Sequence, residues 1–363
     1  MVSKARKLAQ KAGVPSGRRN LIINGAMGVH QRGGTISAVN AATYTLDRFT
    51  TIRGSSYNYN VDVSQSSEAP DGFVNSLKID VQATATPSGG ENFGIEQKIE
   101  SQNTTHLNYG SSSGKYIVLS FWVRSNKTGT YGLQLVHNGK TRNFISSYTI
   151  DSADTWENKT IVINPDTDSS SAFDDDTEAG LRVVWHLSTG ADDLLSGNRD
   201  WTADGLFRSV TGQVNLLDST SNEFYITGVQ LEVGTVPTEF EYRSYGEELA
   251  LCQRYFYRDS QSTSGVTRHA TYIIAMFQTT RGFFGISPPV PMRIGPTVNT
   301  VGTPDLTSPN LSVDGSISSA ALYAKDYNNS RFSIDCTTTT STANTYRSIR
   351  TSQNEGFDFD AEM

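Results

Sequence analysis

Between residues 20 and 243 the apolar side chains fall on alternate positions. Tyr57, Tyr59, Val61 and Val63 alternate with Asn and Asp, and Leu77, Ile79 and Val81 repeat the pattern. So do Leu119, Phe121 and Val123, Tyr131, Leu133 and Leu135, and Leu181, Val183, Trp185 and Leu187. The series closes on Tyr225, Thr227, Val229 and Leu231. Successive side chains of an extended strand point to opposite faces, so a period of two marks strands with one buried face. Turn-forming clusters separate them: Ala69-Pro70-Asp71-Gly72, Pro87-Ser88-Gly89-Gly90 and Asn138-Gly139. The last lies between Gln134–His137 and Lys140–Ile145, and Asn-Gly there predicts a hairpin. Many short antiparallel strands with no helical period between them predict an all-β fold, a jelly-roll sandwich.

Helix is expected in two places. Residues 3–12 can form a short N-terminal helix, capped by Ser3 and closed by Gly13 and Pro15. Residues 244–257 read as a connector helix. Glu247 follows Ser244 at capping-box spacing, and Tyr245, Leu249, Cys252 and Phe256 share one face. Beyond it, residues 258–363 form a smaller C-terminal β domain, with strand candidates at 271–277, 282–286, 292–298, 320–325 and 331–336. Pro288, Pro289, Pro291 and Pro296 restrict which of these can be central. The predicted order is a basic arm (1–19), the sandwich (20–243), the connector (244–257) and the small domain (258–363).

The arm is sharply asymmetric in charge. Lys4, Arg6, Lys7, Lys11, Arg18 and Arg19 all precede the first acid, Asp47, in a chain of net charge -7. It reads either as a solvated tail or as an anchor for an acidic partner surface. The overall acidity, with a pI near 5.3, argues against nucleic acid as a partner. No apolar run approaches the length of a membrane span, so no membrane insertion is expected. The only apolar run behind the basic N-terminus, Leu21-Ile22-Ile23, is too short for a secretory signal, and assembly in the cytoplasm is expected. Cys252 and Cys336 lie far apart and are best read as small buried hydrophobes.

Catalytic constellations are missing. His30, His106, His137, His186 and His269 are dispersed, and neither a nucleophile elbow nor a phosphate loop is present. No cofactor is expected. The acidic run Asp166, Asp168, Asp174, Asp175, Asp176 and Glu178 is the best metal candidate, with Asp174, Asp175 and Asp176 at its centre. Against the calcium-loop template from Asp166 it fails, since Ser171 holds the glycine position and Thr177 the glutamate position. It is read as a solvated loop. Glycoside hydrolysis needs two carboxyl groups across a cleft, which spacing alone does not give. Trp122, Trp156 and Trp185 are expected in the core. Trp201, in Asn198-Arg199-Asp200-Trp201, is the candidate for stacking on a sugar ring, or else a loop anchor or subunit contact.

Two stretches carry a family likeness. One is Asn20-Leu-Ile-Ile-Asn-Gly-Ala-Met27 with Gln31-Arg32-Gly33 and Tyr44-Thr-Leu-Asp-Arg48. The other runs from Tyr225-Ile-Thr-Gly-Val-Gln-Leu-Glu-Val-Gly234 through Phe240-Glu-Tyr-Arg-Ser-Tyr-Gly246 to Cys252-Gln-Arg-Tyr-Phe256. Leu119-Ser-Phe-Trp-Val-Arg-Ser-Asn-Lys-Thr-Gly129 and Tyr148-Thr-Ile-Asp-Ser-Ala-Asp-Thr-Trp156 fit the same group. Together they resemble tail-fibre and virion structural proteins of marine tailed bacteriophages, those of cyanobacteria above all, over roughly residues 3–260. The resemblance implies a jelly roll similar to carbohydrate-binding modules, with the Asn-Gly segment beside the Val-Gln-Leu-Glu strand. It implies a non-enzymatic virion protein, a tail fibre or similar appendage, taking part in host attachment. Its partners would be other virion proteins of tail or capsid, further copies of itself in a homotrimer, and a host surface glycan. A head-attached fibre or decoration protein, a carbohydrate-binding adhesin module and a polysaccharide-degrading enzyme are the alternatives.

Overall fold

The computed structural model describes residues 18–54, 57–139, 141–203, 205, 207–260, 268–307, 313–339, 345–351 and 355–363. The expected helix at 3–12, and Lys4, Arg6, Lys7 and Lys11 with it, lie outside the described residues. The chain divides into two compact units, Met1–Tyr245 and Gly246–Met363.

The first unit is a mainly antiparallel sandwich of two six-stranded sheets. One sheet, here the front, runs in the order Ile36–Val39, Asn60–Ser66, Ser76–Ala83, Glu223–Val233, Ile117–Ser125, Glu157–Ile163. The back sheet runs Arg199–Thr202, Arg142–Ile150, Gly129–His137, Ala179–Thr189, Asn92–Glu100, Thr50–Gly54. Small departures are a parallel pair, Leu194–Leu195 with Ser209–Val210, and a parallel bridge between Thr130 and Gln213. The alternation explains the sandwich directly. Leu119, Phe121 and Val123 of the front sheet meet Tyr131, Leu133, Leu135, Leu181, Val183, Trp185 and Leu187 of the back sheet in one core. Phe121 stands edge-on to both Tyr148 and Trp185, at 5.1 and 5.7 Å. Each fully buried side chain of this size contributes about 1.5–3 kcal/mol.

The expected hairpin joins Gly129–His137 to Arg142–Ile150, with His137 opposite Arg142 and Gly139 at φ 77°. Its strands are longer than the sequence pattern suggests. The Asn-Gly segment does lie beside the closing strand, since Leu21 N donates to Leu231 O and Val229 N to Gly25 O, each at 2.9 Å.

The closing strand corrects the sequence reading. Tyr225 and Thr227 do not share a face with Val229 and Leu231. Phe224 and Ile226 enter the core, the register then slips between Thr227 and Gln230, and Val229 and Leu231 enter it next. The slip is a bulge at Gly228, whose φ of 61° favours glycine.

The helix spans Tyr245–Gln253, starting at the last residue of the first unit, and stops short of Phe256, which opens a strand of the second. Cys252 is buried and Tyr245 exposed, so the four-residue apolar face is not used as one stripe. A closed barrel holds Arg268–Gln278, Arg281–Ile286, Phe332–Thr338, Val313–Lys325, Asp305–Thr307 and Thr345–Thr351. A separate three-stranded sheet places Gly356–Asp360 between Phe256–Ser260 and Thr297–Val301. The strand expected at 292–298 is displaced to 297–301, past the last of the prolines. Both cysteines are buried, and burial pushes the Cys336 thiol up to about 12.

Candidate functional site

The parity that sends Phe121 and Val123 inward sends Trp122 outward. Trp122 is half-buried and stands on the outer face of the front sheet, outside the core cluster. Trp156 likewise lies outside the core, edge-on to Tyr225 at 6.2 Å with its indole N–H donated to Glu68 at 3.3 Å. Of the three tryptophans expected inside, only Trp185 is a core residue.

Trp122 forms one wall of a groove of about 440 Å³. Gly228 sets its floor. A Cβ there would come within 2.7 Å of the Phe73 ring and 2.9 Å of Trp122, so only glycine lets both rings close over the bulge. The opposite wall is the strap 237–242, carrying Pro237, Phe240 and Tyr242. Phe73, Phe240 and Tyr242 form a triad, with ring centroids 5.0 Å apart for Phe73–Phe240 and Phe240–Tyr242 and 5.7 Å for Phe73–Tyr242. Ser120, Asn158, Thr238 and Glu239 add the polar groups.

Buried polar side chains of the closing strand hold the strap. Glu232 accepts from the backbone N–H of Thr238 at 2.7 Å and from its hydroxyl at 2.8 Å. Gln230 donates to Glu232 at 2.9 Å and accepts from the backbone N–H of Glu241 at 2.8 Å. Glu241 in turn accepts the backbone N–H groups of Arg19 at 3.0 Å and Asn20 at 2.9 Å, and Arg243 donates to the Asn20 carbonyl at 2.6 Å. The Gln-Leu-Glu and Phe-Glu-Tyr-Arg phrases thus build a wall and tie it to the opening segment. Desolvation raises the Glu241 carboxyl, but the Asn20 and Arg19 amides and the Arg243 guanidinium outweigh it and hold the group below its ordinary range.

The residues singled out from sequence lie elsewhere. Trp201 is in the edge strand of the back sheet, not a loop. Its ring is edge-on to Tyr109 at 5.7 Å, lies 6.0 Å from Phe144, and donates its N–H to the Asn164 carbonyl at 2.8 Å. Asp174, Asp175 and Asp176 are exposed, and no three His, Cys, Asp or Glu side chains converge on a metal-sized space among the described residues. Asp166 is buried and accepts from Arg142 at 2.8 Å, and Asp168 caps the short turn at Ser169–Ser171. Arg19 of the basic arm donates its side chain to the Glu239 carbonyl at 3.1 Å, against the strap. The groove residues Trp122, Phe240 and Tyr242 all lie in phrases visible in the sequence. The signal that could have found them is the outward parity of Trp122 together with a glycine inside a strand.

No family model matches the chain, and no curated protein does. Among solved structures it is similar to the enzymatically active domain of bacteriophage CBA120 tailspike protein 4, at 15% identity and a TM-score of 0.32. That match covers 59% of this chain and 21% of the tailspike chain. The family 11 carbohydrate-binding module of Clostridium thermocellum, in complex with a mixed-linked tetrasaccharide, matches at 11% identity and a TM-score of 0.29. It covers 56% of this chain and 98% of the module. A family 4 module matches at 13% and 0.31, covering 58% and 98%. Likenesses this slight leave the argument to the groove.

Proposed function

We propose that this chain is a non-enzymatic structural protein of a tailed-phage particle, a tail fibre or similar appendage, whose jelly-roll sandwich binds a host surface glycan in the Trp122 groove. The groove carries the reading. The faces of aromatic rings are electron-rich and accept the C–H faces of a sugar, while a few convergent polar groups read its hydroxyls. Phe73, Trp122, Phe240 and Tyr242 supply the first, and Ser120, Asn158 and Thr238 the second. Binding is favoured over hydrolysis because, among the described residues, Glu239 is the one carboxylate lining the groove, where glycoside cleavage uses two. The family phrases support the virion setting, with the basic arm as the anchor to the particle and a homotrimer as the assembled form.

Affinity electrophoresis through gels holding neutral polysaccharides tests the reading. The wild-type chain should be retarded by at least one of them, and Trp122→Ala should abolish the retardation with little change in melting temperature. Equal retardation of wild type and variant, or none of the wild type, defeats it.

A further inference from the structure

The back sheet carries a second depression, on its own outer face and of opposite character. Leu181, Val183, Trp185 and Leu187 of Ala179–Thr189 fill the core, so Arg182, Val184 and His186 face outward. Beside them stand Gln134 and Asn143, and Arg142 and Arg208 complete a pocket of about 140 Å³. Among the described residues three arginines line it and no carboxylate does, in a chain whose net charge is -7.

Each arginine is oriented by an acid set outside the lining. Arg142 bonds Asp166, with Asp168 at 3.3 Å from its other nitrogen. Arg182 donates its Nε and Nη2 to Glu96 at 2.8 and 2.5 Å, and Arg208 donates its Nε to Asp193 at 2.6 Å. Among the described residues, Nη1 of Arg182 and both Nη groups of Arg208 are left with no protein acceptor. Guanidinium groups held this way are preorganised for a planar, charged acceptor. The neutral groups are as firmly set. Gln134 and His186 are 6% and 1% exposed, joined at 3.1 Å, and Gln134 also donates to the Phe207 carbonyl at 3.2 Å. His186 Nδ1 is buried with no partner.

We propose that this pocket receives the carboxylate of an acidic sugar, a hexuronate or its like, with Arg182 and Arg208 on the carboxylate and Gln134 and Asn143 on ring hydroxyls. The partial neutralisation of each arginine favours one negative charge over a phosphate dianion. The volume, several times a water's share of about 30 Å³, suits one charged sugar residue and not a chain of them. The choice of a sugar rests on the carbohydrate reading of the sandwich; the anion preference does not.

The test uses the whole chain and three probes followed by ligand-observed NMR: sodium glucuronate, methyl glucoside and inorganic phosphate. Arg208→Gln is combined with Asp193→Asn, so that no orphaned acid penalises folding, and Trp122→Ala serves as the groove control. Wild type and Trp122→Ala should bind glucuronate alike, and the double variant at least tenfold more weakly with an unchanged circular dichroism spectrum. Methyl glucoside should not compete for the pocket. The proposal is overturned if the double variant binds glucuronate as wild type does, if phosphate displaces it more strongly than glucuronate itself, or if a folded wild type binds no glucuronate. Glucuronate binding that depends on Arg208, in a chain no neutral polysaccharide retards, would uphold the pocket while the groove reading fell.

Discussion

His186 shows how one residue couples the back sheet to pH. Its imidazole is enclosed, and burial first, then the Arg208 and Arg182 charges, push its pKa down to about 3. The unfolded chain takes up this proton near pH 6.5 and the folded chain does not. The unfolded state therefore holds more protons in the window between, and stability falls as pH is lowered through it. The slope from this single site is at most about 1.4 kcal/mol per pH unit. Several carboxylates also lose their partners in acid, so the clean observable is a difference. Urea titrations of wild type and His186→Gln at pH 7, 6, 5 and 4 should show the variant gaining on wild type at each step down. Parallel loss in both proteins would mean that His186 protonates in the fold.

At the scale of elements, the strap 237–242 depends on side chains that belong to other segments. Glu241 accepts two backbone N–H groups of the opening segment and pairs with Arg243 at 3.1 Å. Hydrogen bonds to a charged acceptor contribute roughly 1.5–3 kcal/mol, so Glu241→Ala should cost about 2 kcal/mol, read as a lower urea midpoint at an unchanged slope. The folded carboxyl lies below its ordinary range. Its contribution is therefore present above the unfolded value near 4.5 and is lost as pH falls through the folded one. A variant with wild-type stability at pH 7 would show that the strap is held by its rings alone. These ties were beyond sequence reasoning, because Glu241 meets Arg19 and Asn20 across more than 200 residues. The strands were legible because parity is local: Leu119, Phe121 and Val123 are core as their spacing requires, and the same spacing sets Trp122 on the outer face, against the core position expected for it from its size. Parity failed at Gly228, where one extra residue resets it, and that residue makes the groove. The acidic, aromatic C-terminal stretch hid a strand for a related reason. Phe357 and Phe359 are wholly buried while Asp358 pairs with Arg258 at 2.6 Å, an alternation too short to stand out without its partners.

At the scale of the whole molecule, the second unit exposes a strip that a lone chain has little reason to keep. Its interior is filled by Ile274, Met276, Phe284, Ile334 and Ile349. Outside, Ile273, Tyr323 and Tyr346 are 66%, 65% and 71% exposed. Phe277 stacks on Phe283 with centroids 4.8 Å apart, and Tyr323 lies 4.7 Å from Phe283 on the other side. Ala275 stands opposite both Tyr346 and Phe283, so the residues run across adjacent strands of one outer face. Soluble monomers scatter their exposed apolar residues, and a contiguous run of them marks a contact surface. We expect the strip to face a threefold axis, where it would meet its counterparts on two further copies and where closed symmetry would leave none of it uncovered. Light scattering at micromolar concentration should then give three times the chain mass of 39.6 kDa. Ile273→Lys combined with Tyr346→Lys places like charges around that axis and should give a folded monomer, since neither side chain is part of the barrel core. A wild type that stays monomeric would leave the trimer without support, and a double variant that is still three times the chain mass would assign the strip to a different partner.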